Sequence, residues 1–307
     1  MCSSDLLYTQ LKQLGVLDGV TEVMELGAQN VWCPRAQIVR QLFDAFSRPD
    51  PSADMLRRFA DWQGSASELH LALGMNYACV DLDPSFNSIA LDLNFDAAPA
   101  EHRGRYDLVT NHGTSEHIMN QLNVFQVMHD FTKPGGTKPG GTKPGGAKPG
   151  GLMLHAVPFT VHLEHGFFNY QPNFFDALAR YNGYKTLGMW VGPDWQLTSL
   201  VPWEPSLLDY LVLNAKTTHL LVVLLQRLHD APFCVPFQGH YETMIPDAAA
   251  ARYSLVVDGE LYDGRRFKQL SKAGAIVDSG RRVDEIGGRD LLRELRRRIM
   301  RRIGLRA

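Results

Sequence analysis

The chain has 307 residues and a mass of 34.4 kDa, with 45% apolar residues, 21% charged residues and a formal net charge of −2 at pH 7. This composition can bury a sizeable core, and it excludes global disorder, collagen-like repetition and a coiled coil. The small net charge predicts neither a nucleic-acid binder nor an acid-rich solvating protein. Charge is unevenly distributed, however, because residues 281–307 contain ten arginines and only four acidic residues.

The sequence contains four cysteines, at Cys2, Cys33, Cys79 and Cys234. They lie far apart and form no C-x-x-C motif, which predicts neither a disulfide framework nor a cysteine-based zinc site and fits a reducing compartment. Residues 1–20 lack the basic start and apolar core of a signal peptide. The longest apolar run, residues 220–225, is too short to cross a bilayer. We therefore expect a cytoplasmic protein.

Strand-like and helix-like segments alternate along the chain. Short apolar or alternating segments predict seven strands, at residues 20–26, 76–81, 89–94, 106–111, 152–157, 184–191 and 218–228. Apolar residues at helical spacing predict helices at residues 35–46, 53–62, 65–74, 116–131 and 172–181. Ser65 and Glu68 form a capping box at the start of the third of these helices. The alternation predicts an α/β fold with a doubly wound, mostly parallel sheet behind a helical amino-terminal lead, and ligands are expected at the carboxyl ends of its strands.

Residues 132–151 read TKPGGTKPGGTKPGGAKPGG, four copies of a K-P-G-G unit at a period of five. The run has no hydrophobic periodicity, so we expect a mobile, exposed loop. One interpretation is a basic flexible tether. The favoured one is the expansion of a single K-P-G-G turn, because a period of five is too short for a stacked repeat fold. Removing three units leaves an ordinary helix-to-strand connection.

The carboxyl-terminal residues 288–305 predict a basic amphipathic helix. Its apolar face contains Leu291, Leu292, Leu295, Ile299 and Ile303, with arginines around them. Such a helix can lie on an anionic membrane surface or clasp an acidic partner, but docking on the acidic remainder of the same chain is favoured. Nucleic-acid binding through it would be independent of sequence. We expect one domain at residues 1–235 and an extension at residues 236–307.

Glycine or polar residues stand at or just after the ends of four predicted strands. Glu25 and Gly27 stand at the end of the first strand, and Asp81 at the end of the second. Asp92 lies near the end of the third strand and Asn111 at the end of the fourth. Glycine lets the backbone approach a ligand, and a carboxylate at the second position suits the paired hydroxyls of a ribose. An aspartate at a strand end is more often a turn residue than a ligand. Four such positions in succession favour a ligand site.

Five motifs follow one another: E-L-G-A-Q-N, Y-A-C-V-D-L-D, L-D-L-N, Y-D-L-V-T-N-H-G-T-S-E-H and K-P-G-G-L-M-L-H. Their order, over residues 20–184, resembles that of the class I S-adenosylmethionine-dependent methyltransferases, including bacterial members. The resemblance implies a Rossmann-like, seven-stranded sheet and S-adenosylmethionine as the cofactor. It places the cofactor-binding residues at Glu25, Gly27, Ala28, Gln29, Asp81, Leu82, Asp92, Leu93 and Asn111. The sequence departs from the family pattern at Gln29 and Val31, where glycines are expected.

Methyl transfer needs positioning above all, and a general base helps when the acceptor is a hydroxyl. The candidate catalytic residues are Glu116, His117, His162 and His165. His155 is a further candidate base, although it equally fits a core position, and Glu116 and His117 equally fit a helix cap. The pairs His162 with His165 and His112 with His117 have spacings that metal ligands also use. The chain has no H-E-x-x-H motif and no cysteine pair, so we predict no metal site.

These observations predict an S-adenosylmethionine-dependent methyltransferase that acts on an oxygen or nitrogen of a small-molecule acceptor, such as a sugar or secondary metabolite. The alternative is a catalytically inactive binding or scaffold protein of the same fold, motivated by the glycines missing from the first motif. Esterase chemistry is disfavoured, because His117 stands where a G-x-S-x-G motif needs its second glycine. A dinucleotide-dependent dehydrogenase is disfavoured by the absence of G-x-G-x-x-G. The oligomeric state is undefined by the sequence.

Overall fold

The computed structural model describes residues 3–84, 87–136, 150–193, 200–213, 217–238 and 245–262. Its α-helices are α1 (Ser3–Gln13), α2 (Ala36–Ala45), α3 (Ala53–Ala60), α4 (Ala66–Ala72), α5 (Gln121–Phe131), α6 (Pro172–Tyr181), α7 (Leu207–Leu213) and α8 (Asp247–Ala250). Its strands are β1 (Glu22–Leu26), β2 (Asn30–Val31), β3 (Gly64–Ser65), β4 (Asn76–Asp81), β5 (Ile89–Ala90), β6 (Leu108–His112), β7 (Leu152–Thr160), β8 (Lys185–Pro193), β9 (Val201–Pro202), β10 (His219–Gln226), β11 (Leu255–Val257) and β12 (Glu260–Tyr262).

Eight strands form one sheet, in the order β5-β4-β1-β6-β7-β10-β8-β9. The first five strands in this order are parallel, whereas β10, β8 and β9 pair antiparallel. The prediction of a mostly parallel α/β sheet is therefore confirmed. The sheet has one strand more than the seven predicted, because the two-residue β9 extends the edge beside β8.

Helices cover both faces of the sheet, which is the doubly wound arrangement. Alternate residues of β1 divide between the two faces: Val23 packs in the core with α1 to α4, and Met24 packs in the core with α5 and α6. Buried strands with two covered faces are expected to be apolar throughout. β10 shows this directly, since Leu220 to Leu225 are all buried and alternate between the two cores.

Two predicted elements differ from the structure at the edge where the site was expected. The strand predicted at residues 89–94 ends after Ala90, because the Asp92 carboxylate accepts the Asn94 N–H at 2.9 Å and bends the chain into a turn. The helix predicted from Glu116 begins instead at Gln121, where the Asn120 side chain accepts the Asn123 N–H at 3.2 Å. A short 3-10 turn, Ser115–His117, precedes it.

The described part of the carboxyl-terminal extension is small. It contains α8 and the hairpin of β11 and β12, and Leu255 and Val256 of this hairpin pack against Tyr181 of α6. The amphipathic helix predicted at residues 288–305 lies outside the described residues. Within the described ranges, no helix combines the length and the hydropathy that crossing a membrane requires.

The two ends of the K-P-G-G repeat lie side by side at the junction between α5 and β7. The Gly151 N–H donates to the Lys133 carbonyl at 2.8 Å, and the Lys133 N–H donates to the Tyr106 carbonyl at 2.9 Å. Buried Arg227 fixes the start of the repeat, because its guanidinium donates to the Thr132 carbonyl at 2.9 Å. The repeat therefore leaves and rejoins the fold at one point. Its residues 137–149 lie outside the described part of the chain.

Deletion of three of the four units, residues 137–151, is expected to leave the fold intact. Lys133 and Gly136 then stand at the first and last positions of a Lys-Pro-Gly-Gly turn, with proline and glycine at the positions that a type II turn favours. This turn forms the same hydrogen bond that now joins Lys133 to Gly151. We expect an unchanged or slightly raised Tm, since a shorter connection costs less closure entropy, about 0.6 kcal/mol for each halving of its length. Thermal unfolding measures this, and a Tm lowered by several degrees contradicts it.

Candidate functional site

The carboxyl ends of the parallel strands meet at one edge of the sheet, and the chain reverses direction across the sheet between β1 and β6. Ligands in doubly wound folds bind at such a switch point. Here the loop after β1 bends sharply at Gly27, which has a φ of +74° and donates its N–H to the Val80 carbonyl at 2.8 Å. The Thr114 hydroxyl, beyond β6, donates to the Leu26 carbonyl at 2.6 Å and so joins the two loops.

Asp81, at the end of β4, holds the same loop from its other side. One carboxylate oxygen accepts the Ala28 N–H at 2.8 Å, and the second accepts the Asp83 N–H at 3.0 Å. The Gln29 side chain turns toward β6 and donates to the Thr114 hydroxyl at 3.3 Å. The structure therefore brings together four of the predicted cofactor residues, Gly27, Ala28, Gln29 and Asp81. Leu82, next to Asp81, is exposed at this edge.

Glu25 does not reach this edge, although the sequence resemblance assigned it to the cofactor. It is 2% exposed, and its carboxylate accepts the Tyr77 hydroxyl at 2.5 Å and the Thr110 hydroxyl at 3.4 Å. It lines a small cavity of about 10 Å³ beneath α1 and α4, together with His70 and His112. Burial raises the pKa of Glu25 to about 7, and the hydrogen bonds from Tyr77 and Thr110 partly oppose that rise.

Three further predicted cofactor residues have structural contacts. Asp92 caps its own turn, as described above, and Leu93 is buried in the core that includes α5. Asn111 is completely buried, and its side chain donates to the Ser115 hydroxyl at 2.8 Å and accepts the Ser115 N–H at 3.0 Å. Asn111 therefore shapes the turn that follows β6. His155 lies beside it in the core, in ring contact with Phe175.

The turn after β6 carries the candidate catalytic residues Glu116 and His117, and the loop after β7 brings His165 to them. Glu116 Oε1 lies 3.5 Å from His165 Nε2 and 4.0 Å from His117 Nε2. The Phe167 N–H donates to the Glu116 carbonyl at 2.8 Å, which fixes the loop against the turn. The loop must approach closely, since a Cβ on Gly166 would lie 3.0 Å from Glu116 Cγ.

The three side chains differ sharply in exposure. The Glu116 side chain is 0% exposed, whereas those of His117 and His165 are 46% and 38% exposed. Neither carboxylate oxygen of Glu116 has a hydrogen-bond partner among the described residues. Burial raises the pKa of Glu116 to about 7, and burial followed by the neighbouring His165 lowers the pKa of His117. A carboxylate without donors thus faces two solvent-accessible imidazoles.

His162 is the one predicted catalytic residue that stands apart from this group. It is buried, and its Nε2 lies 2.9 Å from the His219 carbonyl in β10. Its ring centre is 5.9 Å from that of His165. Because its Nε2 is already bound to the sheet, His162 holds the loop in place. His112, suggested as a partner of His117 by sequence spacing, instead lines the small cavity that Glu25 also lines.

A cleft of about 440 Å³ lies beside the turn that carries Glu116. It is lined by Gln121, Phe168, Asn169, Tyr170, Gln171, Asn173, Phe174, Ala177, Pro236, Phe237 and Gln238. The Tyr170 hydroxyl lies 2.8 Å from Ser115 Oγ and 2.6 Å from Gln121 Oε1, so the cleft wall is bonded to the residue that precedes Glu116. Aromatic rings and side-chain amides dominate the lining, and none of the described residues that line it is charged.

Apolar side chains are exposed around the same edge of the sheet. Leu82 follows β4, Phe95 lies in the turn beyond β5, Met119 precedes α5 and Phe167 follows β7. The Asn94 side chain holds part of this rim in place, since its Oδ1 accepts the Met119 N–H at 3.1 Å. Exposed apolar side chains clustered around a polar site are typical of a ligand-binding surface.

Sequence reasoning missed the amides of the cleft and the role of Thr114. Aromatic rings and amides alternate at residues 168–174 and line one surface, but no sequence motif marks this alternation. Pro236 and Phe237, far away in sequence, complete that surface. Thr114 had no signal of its own, because its importance depends on the distance between two loops.

No family model matches the chain, and no curated protein matches it. The solved structures to which it is similar include a protein from Galdieria sulphuraria provisionally named a sarcosine dimethylglycine methyltransferase, at 13% identity, 74% coverage of this chain, 85% of that chain and a TM-score of 0.41. They also include the cyclase SpnF, at 10% identity, 74% coverage of this chain, 82% of that chain and a TM-score of 0.38. A third is the trans-methyltransferase CalH in complex with SAH, at 12% identity, 73% coverage of this chain, 55% of that chain and a TM-score of 0.38. Identities and TM-scores this low support no conclusion about activity.

Gly27→Ala is expected to destabilise the protein because of both backbone strain and a clash. A Cβ at this position would lie 2.5 Å from the Thr114 hydroxyl oxygen, and the φ of +74° is unfavourable for alanine. Gly19→Ala is the matched control, because Gly19 has a φ of +75° but nothing within 4 Å of the added Cβ. We expect a loss of unfolding free energy of about 1 kcal/mol for the control and about 1–3 kcal/mol more for Gly27→Ala.

Chemical denaturation measures both values. Addition of Thr114→Ala to Gly27→Ala removes the clashing hydroxyl. It should reduce the difference in unfolding free energy between Gly27→Ala and the Gly19→Ala control. Equal destabilisation by the two glycine substitutions contradicts the close contact between the loops.

Glu25→Gln is expected to stabilise the protein above neutral pH. The folded-state pKa of Glu25 is raised from 4.5 to about 7, so the folded protein binds more protons than the unfolded chain between these values. Ionisation of Glu25 therefore lowers the unfolding free energy as pH rises through this window, by up to roughly 3 kcal/mol at pH 8. Glutamine keeps an acceptor for the Tyr77 hydroxyl but carries no charge.

The groups that face Glu25 do not mask this effect. Burial lowers the pKa of His70 to about 4 and that of His112 to about 3, and burial raises the pKa of Cys79 to about 11. Tyr8 lines the same cavity, and Tyr77 and Thr110 donate their hydroxyl hydrogens to the Glu25 carboxylate. Denaturation at pH 5 and pH 8 should show a gain in unfolding free energy for Glu25→Gln over wild type that is about 2–3 kcal/mol larger at pH 8 than at pH 5. Exposed Glu101→Gln serves as the control, and an equal gain at both pH values contradicts the assignment.

Proposed function

We propose that this protein transfers a methyl group from S-adenosylmethionine to an oxygen of a small, neutral, hydroxyl-rich acceptor. Two things support the donor: the order of motifs that resembles the class I methyltransferases, and the contact between Asp81 and the Gly27 loop at the switch point of the sheet. The observation that carries the acceptor is the cleft of aromatic rings and amides, whose Tyr170 is bonded to Ser115, the residue before Glu116.

Asp81, Gly27 and Ala28, at the carboxyl edge of the sheet, have the chemistry that binding of S-adenosylmethionine requires. Each Asp81 oxygen accepts one backbone N–H, and each retains a second lone pair for a ribose hydroxyl. Gly27 and Ala28 would border the cofactor at the bend after β1, and exposed Leu82 would contact its adenine. Glu25, Leu93 and Asn111 are left out of this set, since their side chains are buried. Bound S-adenosylmethionine would supply a methyl group that its sulfonium already activates.

The cleft fits an uncharged acceptor with several hydroxyl groups. Side-chain amides can donate and accept at once, as hydroxyl groups require, and aromatic rings cover the apolar faces of such a ligand. The amides are Gln121, Asn169, Gln171, Asn173 and Gln238, and the rings are Phe168, Tyr170, Phe174 and Phe237. A sugar has this combination of polar edges and apolar faces. A charged acceptor would find no counter-charge among the described lining residues.

In this proposal, Glu116 and His165 take the proton from the acceptor hydroxyl. The carboxylate is buried without donors and faces the half-exposed imidazole across 3.5 Å. Either group is a proton acceptor of the kind that general-base catalysis uses. Correct alignment of the hydroxyl with the methyl group supplies much of the rate, so the rigid contacts of Tyr170 and Gln121 with the Ser115 turn matter as much as the base.

Calorimetric titration with S-adenosylmethionine tests the donor assignment. Wild-type protein should bind it, and Asp81→Asn should bind at least about tenfold more weakly, since the loss of a charge-assisted hydrogen bond costs about 1.5–3 kcal/mol. Asp83→Asn is the matched control, because Asp83 is exposed in the same loop and bonds Asp81 only through its backbone. Circular dichroism confirms that each variant is folded. The absence of binding by wild type at millimolar ligand contradicts the proposed function, and equal affinities for all three proteins contradict the role of Asp81.

A further inference from the structure

Three side chains of types that bind metal ions converge on one point beyond the carboxyl end of β6. A candidate ligand atom from each of Glu116, His117 and His165 lies within 4.8 Å of the other two. The two histidines come from different loops, since His117 ends the turn after β6 and His165 belongs to the loop after β7. Their meeting is therefore a product of the fold and is not visible as a sequence motif.

The buried carboxylate is the second observation that points to a ligand. Glu116 is 0% exposed, and neither of its oxygens has a hydrogen-bond partner among the described residues. A carboxylate taken out of water without a donor is costly, and proteins keep such groups where they are paired or coordinate a metal. Glu25, by contrast, is equally buried but accepts two hydroxyl donors. The unpaired oxygen of Glu116 faces the two imidazoles.

We propose that Glu116, His117 and His165 bind a divalent first-row transition-metal ion, and that Zn²⁺ matches the site best. Two imidazoles and one carboxylate are a donor set that zinc uses in sites with an open fourth position. Mg²⁺ and Ca²⁺ prefer oxygen ligands throughout and fit less well. Metal–ligand bonds of about 2.0–2.2 Å in a tetrahedron separate the ligand atoms by roughly 3.3–3.5 Å. Glu116 Oε1 and His165 Nε2, at 3.5 Å, already have this separation.

His117 needs a small adjustment to complete the site. Its Nε2 is 4.0 Å from Glu116 Oε1, and its side chain is 46% exposed, so rotation toward the ion meets little resistance. His162 is excluded from the set, although its ring is near that of His165, because its Nε2 lies at hydrogen-bond distance from the His219 carbonyl. The close packing of Gly166 on Glu116 holds His165 in register with the carboxylate.

A bound ion would change the part these side chains play in methyl transfer. They would act as ligands instead of proton acceptors. Coordination would lower the pKa of an acceptor hydroxyl in the open position, and that hydroxyl would release its proton to solvent water. This consequence rests on the proposed function, whereas metal binding itself does not. The two are measured in separate titrations, one with zinc alone and one with S-adenosylmethionine alone.

Titration of the full-length, chelator-treated protein with ZnCl₂, without cofactor, tests the site. Isothermal calorimetry should show one zinc ion bound per chain, with at least tenfold weaker binding in Glu116→Gln and in His165→Ala. His117→Ala provides a third variant at a half-exposed position, where folding is least at risk. Thermal unfolding of each variant without zinc shows whether the variant is folded, so that a loss of zinc binding is not mistaken for a loss of folding.

Glu164→Gln is the matched control for Glu116→Gln, because Glu164 is exposed, precedes His165 in the same loop and is not part of the converging group. Its zinc affinity should equal that of wild type. The proposal is overturned if wild type binds no zinc, or if folded Glu116→Gln and His165→Ala bind it as tightly as wild type. Loss of binding in Glu164→Gln equal to that in Glu116→Gln also overturns the assigned ligand set.

Discussion

Helices bury both faces of the central sheet, and this coverage determines where polar chemistry can occur. A polar group placed between the sheet and a helix must find its partners inside the protein, since water does not reach it. Asn111 and Thr110 of β6 follow this rule, each bonded to a neighbouring side chain. At the carboxyl ends of the strands, the chain emerges from this double cover. The Gly27 bend, Asp81 and the Glu116 turn all lie at that edge.

Two buried glutamates show how the same burial leads to different roles. In both, burial raises the pKa to about 7. Glu25 lies one residue before the end of β1, where the Tyr77 and Thr110 hydroxyls donate to it and complete the interior. Glu116 lies beyond the end of β6 and has no described donor, but it faces His165 and His117. Position relative to the strand end thus separates a carboxyl bonded within the interior from one that has no described donor.

The sequence predicted the strands and helices well because they depend on local patterns. The helix at Pro172–Tyr181 and the strand at Asn76–Asp81 have the predicted bounds, and Ser65 caps its helix by accepting the Glu68 N–H at 3.1 Å. The errors fall at the carboxyl edge, where side chains compete with the backbone for hydrogen bonds. Asp92 ended a strand, and Asn120 began a helix later than hydrophobic spacing indicated. Such competition is decided by contacts that periodicity does not record.

The site was less predictable, because its parts come from separate loops. The strand-end pattern identified Gly27 and Asp81, which the structure joins through the Ala28 N–H. The same pattern included Glu25 and Asn111, since it contains no information on which face of a strand a side chain occupies or how deep it lies. The contact between Glu116 and His165 spans 48 intervening residues, as it joins the turn after β6 to the loop after β7. The pairing of β6 with β7 places these two loops side by side.

The hydrogen bond between Lys133 and Gly151 makes this junction a natural place to add material to the molecule. An insertion is tolerated best where its two ends are already neighbours and the flanking backbone bonds are complete without it. Here Arg227 and Tyr106 hold the flanks independently of whatever the chain carries between them. A fluorescent reporter or a purification handle grafted at this point would need no support from the sheet. Its attachment would lie at the amino end of β7, whereas His165 follows the carboxyl end of that strand.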